Sequence, residues 1–240
     1  MAQITVEEFR NFFKYYKGEE HQQRAVEQLY DDLKKKTKEN DAEWITTYRT
    51  PAAVEEPVKK PEVSGGICTP QLMQQLTAYP ADSFDEVFVN DCNRLFRETG
   101  FDAHLDAMQM LMANMMHETC NFLYMKEIAD GWAYENRSDL GNTSPGDGPR
   151  YKGAGVLQLT GKYNYSRLSD GIGDPKVMDG VDYVSNTYPF TSARIWIEEN
   201  NLLSVCLTQG FDQCCLRING GWNGYDDRLN KYHTCQKYMR

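Results

Sequence analysis

The chain has no apolar run near the roughly 18 residues that a membrane span requires, so a spanning helix is not expected. Its first residues, Met1-Ala2-Gln3-Ile4-Thr5-Val6-Glu7-Glu8, lack a basic stretch followed by an apolar one, and a signal peptide is not expected. Positive charge is also in short supply. Against 35 acidic residues there are 26 basic ones, a net charge of −9, which gives no general pull towards nucleic acid or anionic lipid. Seven cysteines (Cys68, Cys92, Cys120, Cys206, Cys214, Cys215 and Cys235) contain no CxxC spacing, and no zinc site is predicted. Their odd number reads as reduced, mostly buried thiols, with one or two disulfides as the alternative. HExxH metalloprotease chemistry is excluded, because Asn121 stands where the second histidine would be after His117-Glu118.

What is present suffices for a packed core: 40% hydrophobic residues and 12% aromatics. Residues 1–49 read as a small helical module. Thr5-Val6-Glu7-Glu8 fits a capping box ahead of Phe9, Phe12, Phe13 and Tyr16 at helical spacing. Its Lys34-Lys35-Lys36 run is a solvated helix face or a contact for anionic wall polymers. Residues 50–66, with three prolines and a closing Gly65-Gly66, read as a semi-extended linker.

The main domain, 67–240, is predicted to be mainly α. Thr69-Pro70 sets a helix start, and Ser83-Phe84-Asp85-Glu86 fits a second capping box. Phe84, Val87, Phe88, Cys92, Leu95 and Phe96 then form a stripe that Gly100 ends. A third helix runs from about Ala103 to Glu118, with Met108, Met110, Met112, Met115 and Met116 as core packing. A Gly- and Asp-rich loop covers 136–155, and a further helix about 190–201. Helices on both sides of a loop-rich centre predict a two-lobed domain with a central cleft.

Glu118 ends the methionine-rich helix, where an apolar setting would favour the protonated carboxyl that a general acid needs. Glu127 follows nine positions later, and two carboxylates across a cleft are the minimum for hydrolysing a glycosidic bond. Spacing alone is weak, since two surface charges fit it equally well.

Several segments, in order, resemble family 19 glycoside hydrolases, which include chitinases and many bacteriophage endolysins. They are His117-Glu118-Thr119, then Glu127, then Tyr151-Lys152-Gly153-Ala154-Gly155-Val156-Leu157-Gln158-Leu159-Thr160-Gly161-Lys162-Tyr163-Asn164-Tyr165, and finally Arg217-Ile218-Asn219-Gly220-Gly221 with Asp227-Arg228. Tyr134–Asn142 and Pro145–Gly148 are most similar to the phage branch. The resemblance implies a lysozyme-like or chitinase-like helical fold. It implies Glu118 as general acid, Glu127 as the carboxylate that activates water, and Thr160 as a holder of that water. Gln158, Tyr163 and Asn164 would line the sugar cleft, while Asn219 and Arg228 would support Glu127 and the substrate. An inverting pair should lie roughly 6.5–9.5 Å apart.

Other assignments stay open. Glu135 rivals Glu127, or else pairs with Arg137 or bonds to the Gly-rich loop. His117 orients Glu118 and borders the substrate, or is a satisfied helix-end histidine. Trp222 and Tyr225 stack on sugars or pack. Two departures stand out: Ala154 replaces a family arginine, for which Lys152 or Arg150 would have to substitute, and Cys120-Asn121-Phe122 replaces a glycine-containing turn. The expected function is a phage-type endolysin that cuts the β-1,4 amino-sugar backbone of peptidoglycan as a monomer, without metal or cofactor. It would be held in the host cytoplasm until lysis. The alternatives are a chitinase, or a virion protein that binds glycan without cutting it.

Overall fold

A computed structural model describes residues 66–240, so the module expected over 1–49 and nearly all of the linker lie outside the described residues. Helix α1 (Pro70–Thr77) starts as read: Thr69 Oγ1 accepts the Leu72 amide, with proline at the first helical position. Helix α2 (Glu86–Glu98) starts two residues later than the capping box implies. Asp85, not Ser83, is its cap and accepts the Phe88 amide at 2.8 Å, while Ser83 ends a 3₁₀ turn, Ala81–Ser83. Val87 is 38% exposed, and Val89 takes its place on the buried stripe.

Helix α3 (Leu105–Glu118) is the spine of the larger lobe. Ten consecutive residues, Ala107 to Met116, are buried on it, which a helix achieves only when neighbours cover every face. Helices α8 (Leu202–Asn219, bent at Gly210) and α9 (Tyr225–Tyr238) pack along it. Its core joins Leu72, Phe88, Leu95, Met112, Phe190 and Cys214. Asp91, 5% exposed, accepts the amides of Phe190 and Thr191 and the Thr191 hydroxyl, tying α2 to that segment.

A second core contains Tyr151, Ala154, Tyr165, Leu168, Val177 and Val184. Around it lie α4 (Asp147–Arg150), α5 (Lys162–Ile172) and α6 (Val181–Thr187). Two separate cores give two lobes, as the sequence predicts. The helix expected over 190–201 is a 3₁₀ turn, Thr191–Ala193, running into α7 (Arg194–Glu199). Among the described residues there is no strand, only the isolated bridges Lys126↔Ala154 and Ala154↔Leu159. No helix of the described residues is long and apolar enough to cross a membrane.

Candidate active site

Glu118 is the last residue of α3. Its side chain is 16% exposed, neither sealed in nor fully solvated. Instead of the apolar setting expected from the methionines, it meets a charge: Arg228 Nη2 of α9 donates to Glu118 Oε1 at 2.5 Å. Arg228 is itself 1% exposed and donates from Nη1 to Asn114 Oδ1, one turn back on α3, at 2.7 Å. A guanidinium so buried is tolerable only because its donors meet a carboxylate and an amide oxygen. This corrects the role expected for Arg228, which supports Glu118, not Glu127, and is too enclosed to line the substrate.

One residue earlier, His117 Nδ1 lies 2.6 Å from Asp227 Oδ2, and Lys231 Nζ donates to Asp227 Oδ1 at 2.7 Å. Burial opposes the charge of Asp227, but the hydrogen bonds from His117 and Lys231 outweigh it and hold the carboxyl down at about 2. The His117 ring also fills the space beside Gly224, where a Cβ would collide with it at φ +69°. His117 is thus a helix-end histidine that docks α9 on α3. The bond expected from His117 to Glu118 goes to Asp227 instead.

The turn after Glu118 keeps a glycine-like path without glycine. Cys120, Asn121 and Phe122 have φ of 51°, 58° and 70°, a conformation costing roughly 1–2 kcal/mol per residue. Buried Thr119 offsets part of this, donating to Met115 O and accepting the Phe122 amide. Phe122 packs edge-on against Phe88 and Phe190, with centroids 5.6 and 5.5 Å away. Burial pushes the Cys120 thiol up to about 11.

Glu127 is held by a different kind of support. Its Oε2 accepts the Gly153 amide at 2.9 Å, and its Oε1 accepts the Tyr134 hydroxyl at 3.0 Å. The Glu127 amide in turn donates to Gly153 O. Asn142, fully buried, donates to Tyr134 O and accepts the Lys162 amide, which fixes the turn carrying Tyr134. A Cβ on Gly153 would collide with Gln158 Oε1 and lie 3.1 Å from Glu127 Oε2, so Gln158 and Glu127 converge there. No feature of the sequence assigns a role to Tyr134, Asn142 or Asn114. An aromatic or amide in a loop carries no periodic signal, and only the fold brings them to the carboxylates.

Both oxygens of Glu135 accept loop amides, Gly146 N at 2.8 Å and Gly148 N at 2.9 Å, which is the loop-bonding alternative. Arg137 pairs with Asp139 instead. The Thr160 hydroxyl donates to Gln158 O, and Asn164 Nδ2 donates to Thr160 O. Tyr163 is 61% exposed. Asn219 Oδ1, at the end of α8, is buried with no partner among the described residues. Trp222 is 56% exposed and meets Tyr225 edge-on. Ala154 has no exposure and belongs to the smaller core. Lys152 does not replace the arginine, since its Nζ donates to Ala129 O. No group of three or more His, Cys, Asp or Glu among the described residues is placed to share a metal ion.

No protein-family model matches the chain. A segment of 108 residues, 45% of the chain, is 30% identical to a glycosyl hydrolase family 19 domain-containing protein of Haemophilus influenzae, covering 52% of it. Another of 136 residues, 53% of the chain, is 37% identical to an endochitinase of Arabidopsis thaliana, covering 46% of it. The chain thus spans about half the length of the curated relatives it matches. Chitinase C from Streptomyces griseus superposes with a TM-score of 0.53 at 17% identity, over 74% of this chain and 94% of that one. A mutant of chitinase C gives 0.56 over 73% and 94%. The domain therefore has the helical fold of chitinase C, and its matched segments are similar to glycosyl hydrolase family 19 proteins.

Proposed function

We propose that the protein is a glycoside hydrolase that cleaves a β-1,4-linked amino-sugar polymer with Glu118 as proton donor and Glu127 as base. The observation carrying this reading is that each carboxylate has its own purpose-built support. Glu118 is held by the buried Arg228, and Glu127 by the Gly153 amide and the Tyr134 hydroxyl. In this reading Arg228 engages only Oε1, leaving the other oxygen to deliver a proton to the departing glycosidic oxygen. Glu127, oriented through both oxygens, takes a proton from the water that attacks the opposite face of the sugar, with inversion. Gln158 and Thr160 border that water. Asn219, Tyr163, Asn164 and Trp222 contact the chain of sugars, Trp222 through its exposed ring.

We favour bacterial peptidoglycan as substrate, in an endolysin role, because Tyr134–Asn142 and Pro145–Gly148 resemble the phage branch. Chitin is the second reading, favoured by the endochitinase relatives. Mass spectrometry of fragments from purified peptidoglycan, run beside sugar release from chitin, tests both. Muropeptides with a new reducing sugar support the first reading, release from chitin alone supports the second, and no release from either refutes the enzyme.

A further inference from the structure

Two cysteines far from the carboxylates are held in contact. Cys68 precedes the cap of α1, and Cys92 lies midway along α2. Their Sγ atoms are 3.2 Å apart across 24 positions of sequence, and their residues are 3% and 0% exposed. The contact does not depend on a bond between the sulfurs. The Cys68 amide donates to Asn93 Oδ1 at 2.9 Å, and Asn93 Nδ2 returns a bond to Cys68 O at 2.8 Å. Gly66 lies against the same asparagine side chain, where a Cβ would collide with it. Asn93 therefore presents the Cys68 thiol to its neighbour on α2, and nothing in the proposed catalysis uses either sulfur.

We propose that Cys68 and Cys92 are a cross-linking site: they close an intrachain disulfide when the chain folds in oxidising surroundings and stay a dithiol when it folds in reducing ones. With a glutathione disulfide as oxidant, one protein thiolate attacks a glutathione sulfur and expels a glutathione thiolate. The second protein thiolate then displaces the other glutathione. Two protein thiols are oxidised, one glutathione disulfide becomes two thiols, and the two protons pass to them. In the folded chain, burial and the hydrogen bond to Cys68 push the Cys92 thiol well above its ordinary value. Thiolate is scarce there and a bulky oxidant has no path, so exchange waits on local opening of residues 66–69. The pair keeps the state set at folding.

The experiment is oxidative refolding of the full 240-residue chain in a glutathione redox buffer, beside refolding in excess reductant. The expected outcome is two fewer free thiols than the seven of the reduced chain. Peptide mapping should show one Cys68–Cys92 linkage, and Tm should rise by about 5–10 °C. Reductant, Cys92→Ser and the better-packing Cys92→Ala should each abolish the rise. Added to the folded, reduced protein, the same buffer should form the linkage at least about tenfold more slowly than refolding does. Burial, and to a lesser degree the nearby Cys68, push the Cys235 thiol up, so the map must identify the pair. Absence of a Cys68–Cys92 peptide after oxidative refolding, whatever other pairs form, overturns the proposal, as does equally fast closure in the folded chain.

Discussion

Glu118 and Glu127 sit on different kinds of scaffold. Glu118 ends a helix on which the ten residues from Ala107 to Met116 are all buried, and its partner Arg228 reaches it from a second helix through a buried network with Asn114. Glu127 lies in a loop, and its support is one backbone amide and one phenol on a 3₁₀ turn. Helix-borne support couples the first site to global stability, because losing a partner strands buried polar groups. Loop-borne support couples the second to local geometry, where a displaced carboxylate costs activity before it costs the fold.

That contrast can be broken or sharpened by experiment. Arg228→Met should have the largest effect on stability, about 3–5 kcal/mol by urea unfolding, because it leaves Glu118 and Asn114 without their buried partner. Gly153→Ala should cost less, about 1–3 kcal/mol, yet lower activity towards 10²-fold, since the new methyl displaces Gln158 or Glu127. Should it destabilise as much as Arg228→Met, the contrast fails. Tyr134→Phe removes a single hydrogen bond to Glu127. About 0.5–1.5 kcal/mol of stability is expected to go, with kcat falling more than KM rises.

The smallest effect is expected from acid. The folded-state carboxyl of Asp227 is held below its unfolded value, so its contribution is fully present above about pH 4. It is lost as pH falls through about 2. Asp227→Asn should flatten unfolding stability across that window and also loosen the docking of His117. An unchanged acid profile would show that the pair stabilises nothing.

Much of this was legible in the chain, but unevenly. The apolar stripe of α2 and the buried run of α3 announce themselves because helical periodicity and core burial coincide. Helix α9 gives no such signal: of its fourteen residues only Arg228 and Cys235 are buried, so its pattern is that of a solvated segment. The pairing of Arg228 with Glu118 is hidden in the same way. A charged residue reads as exposed, and only three-dimensional pairing explains one in the core. Glu118 and Glu127 stand out in the sequence only through the order of motifs around them. The bonds that tie Glu135 to the amides of Gly146 and Gly148 are visible only in the fold. The Ala154 substitution could not be weighed in sequence, because nothing there says that the position points into the smaller core.

The most direct test of the account compares Glu118→Gln with the wild-type chain on purified peptidoglycan and on chitin. The variant keeps the size of the side chain and an oxygen for Arg228 but has no acidic proton. The account predicts a folded protein whose glycan cleavage falls by at least about 10²-fold. Cleavage at the wild-type rate would contradict it.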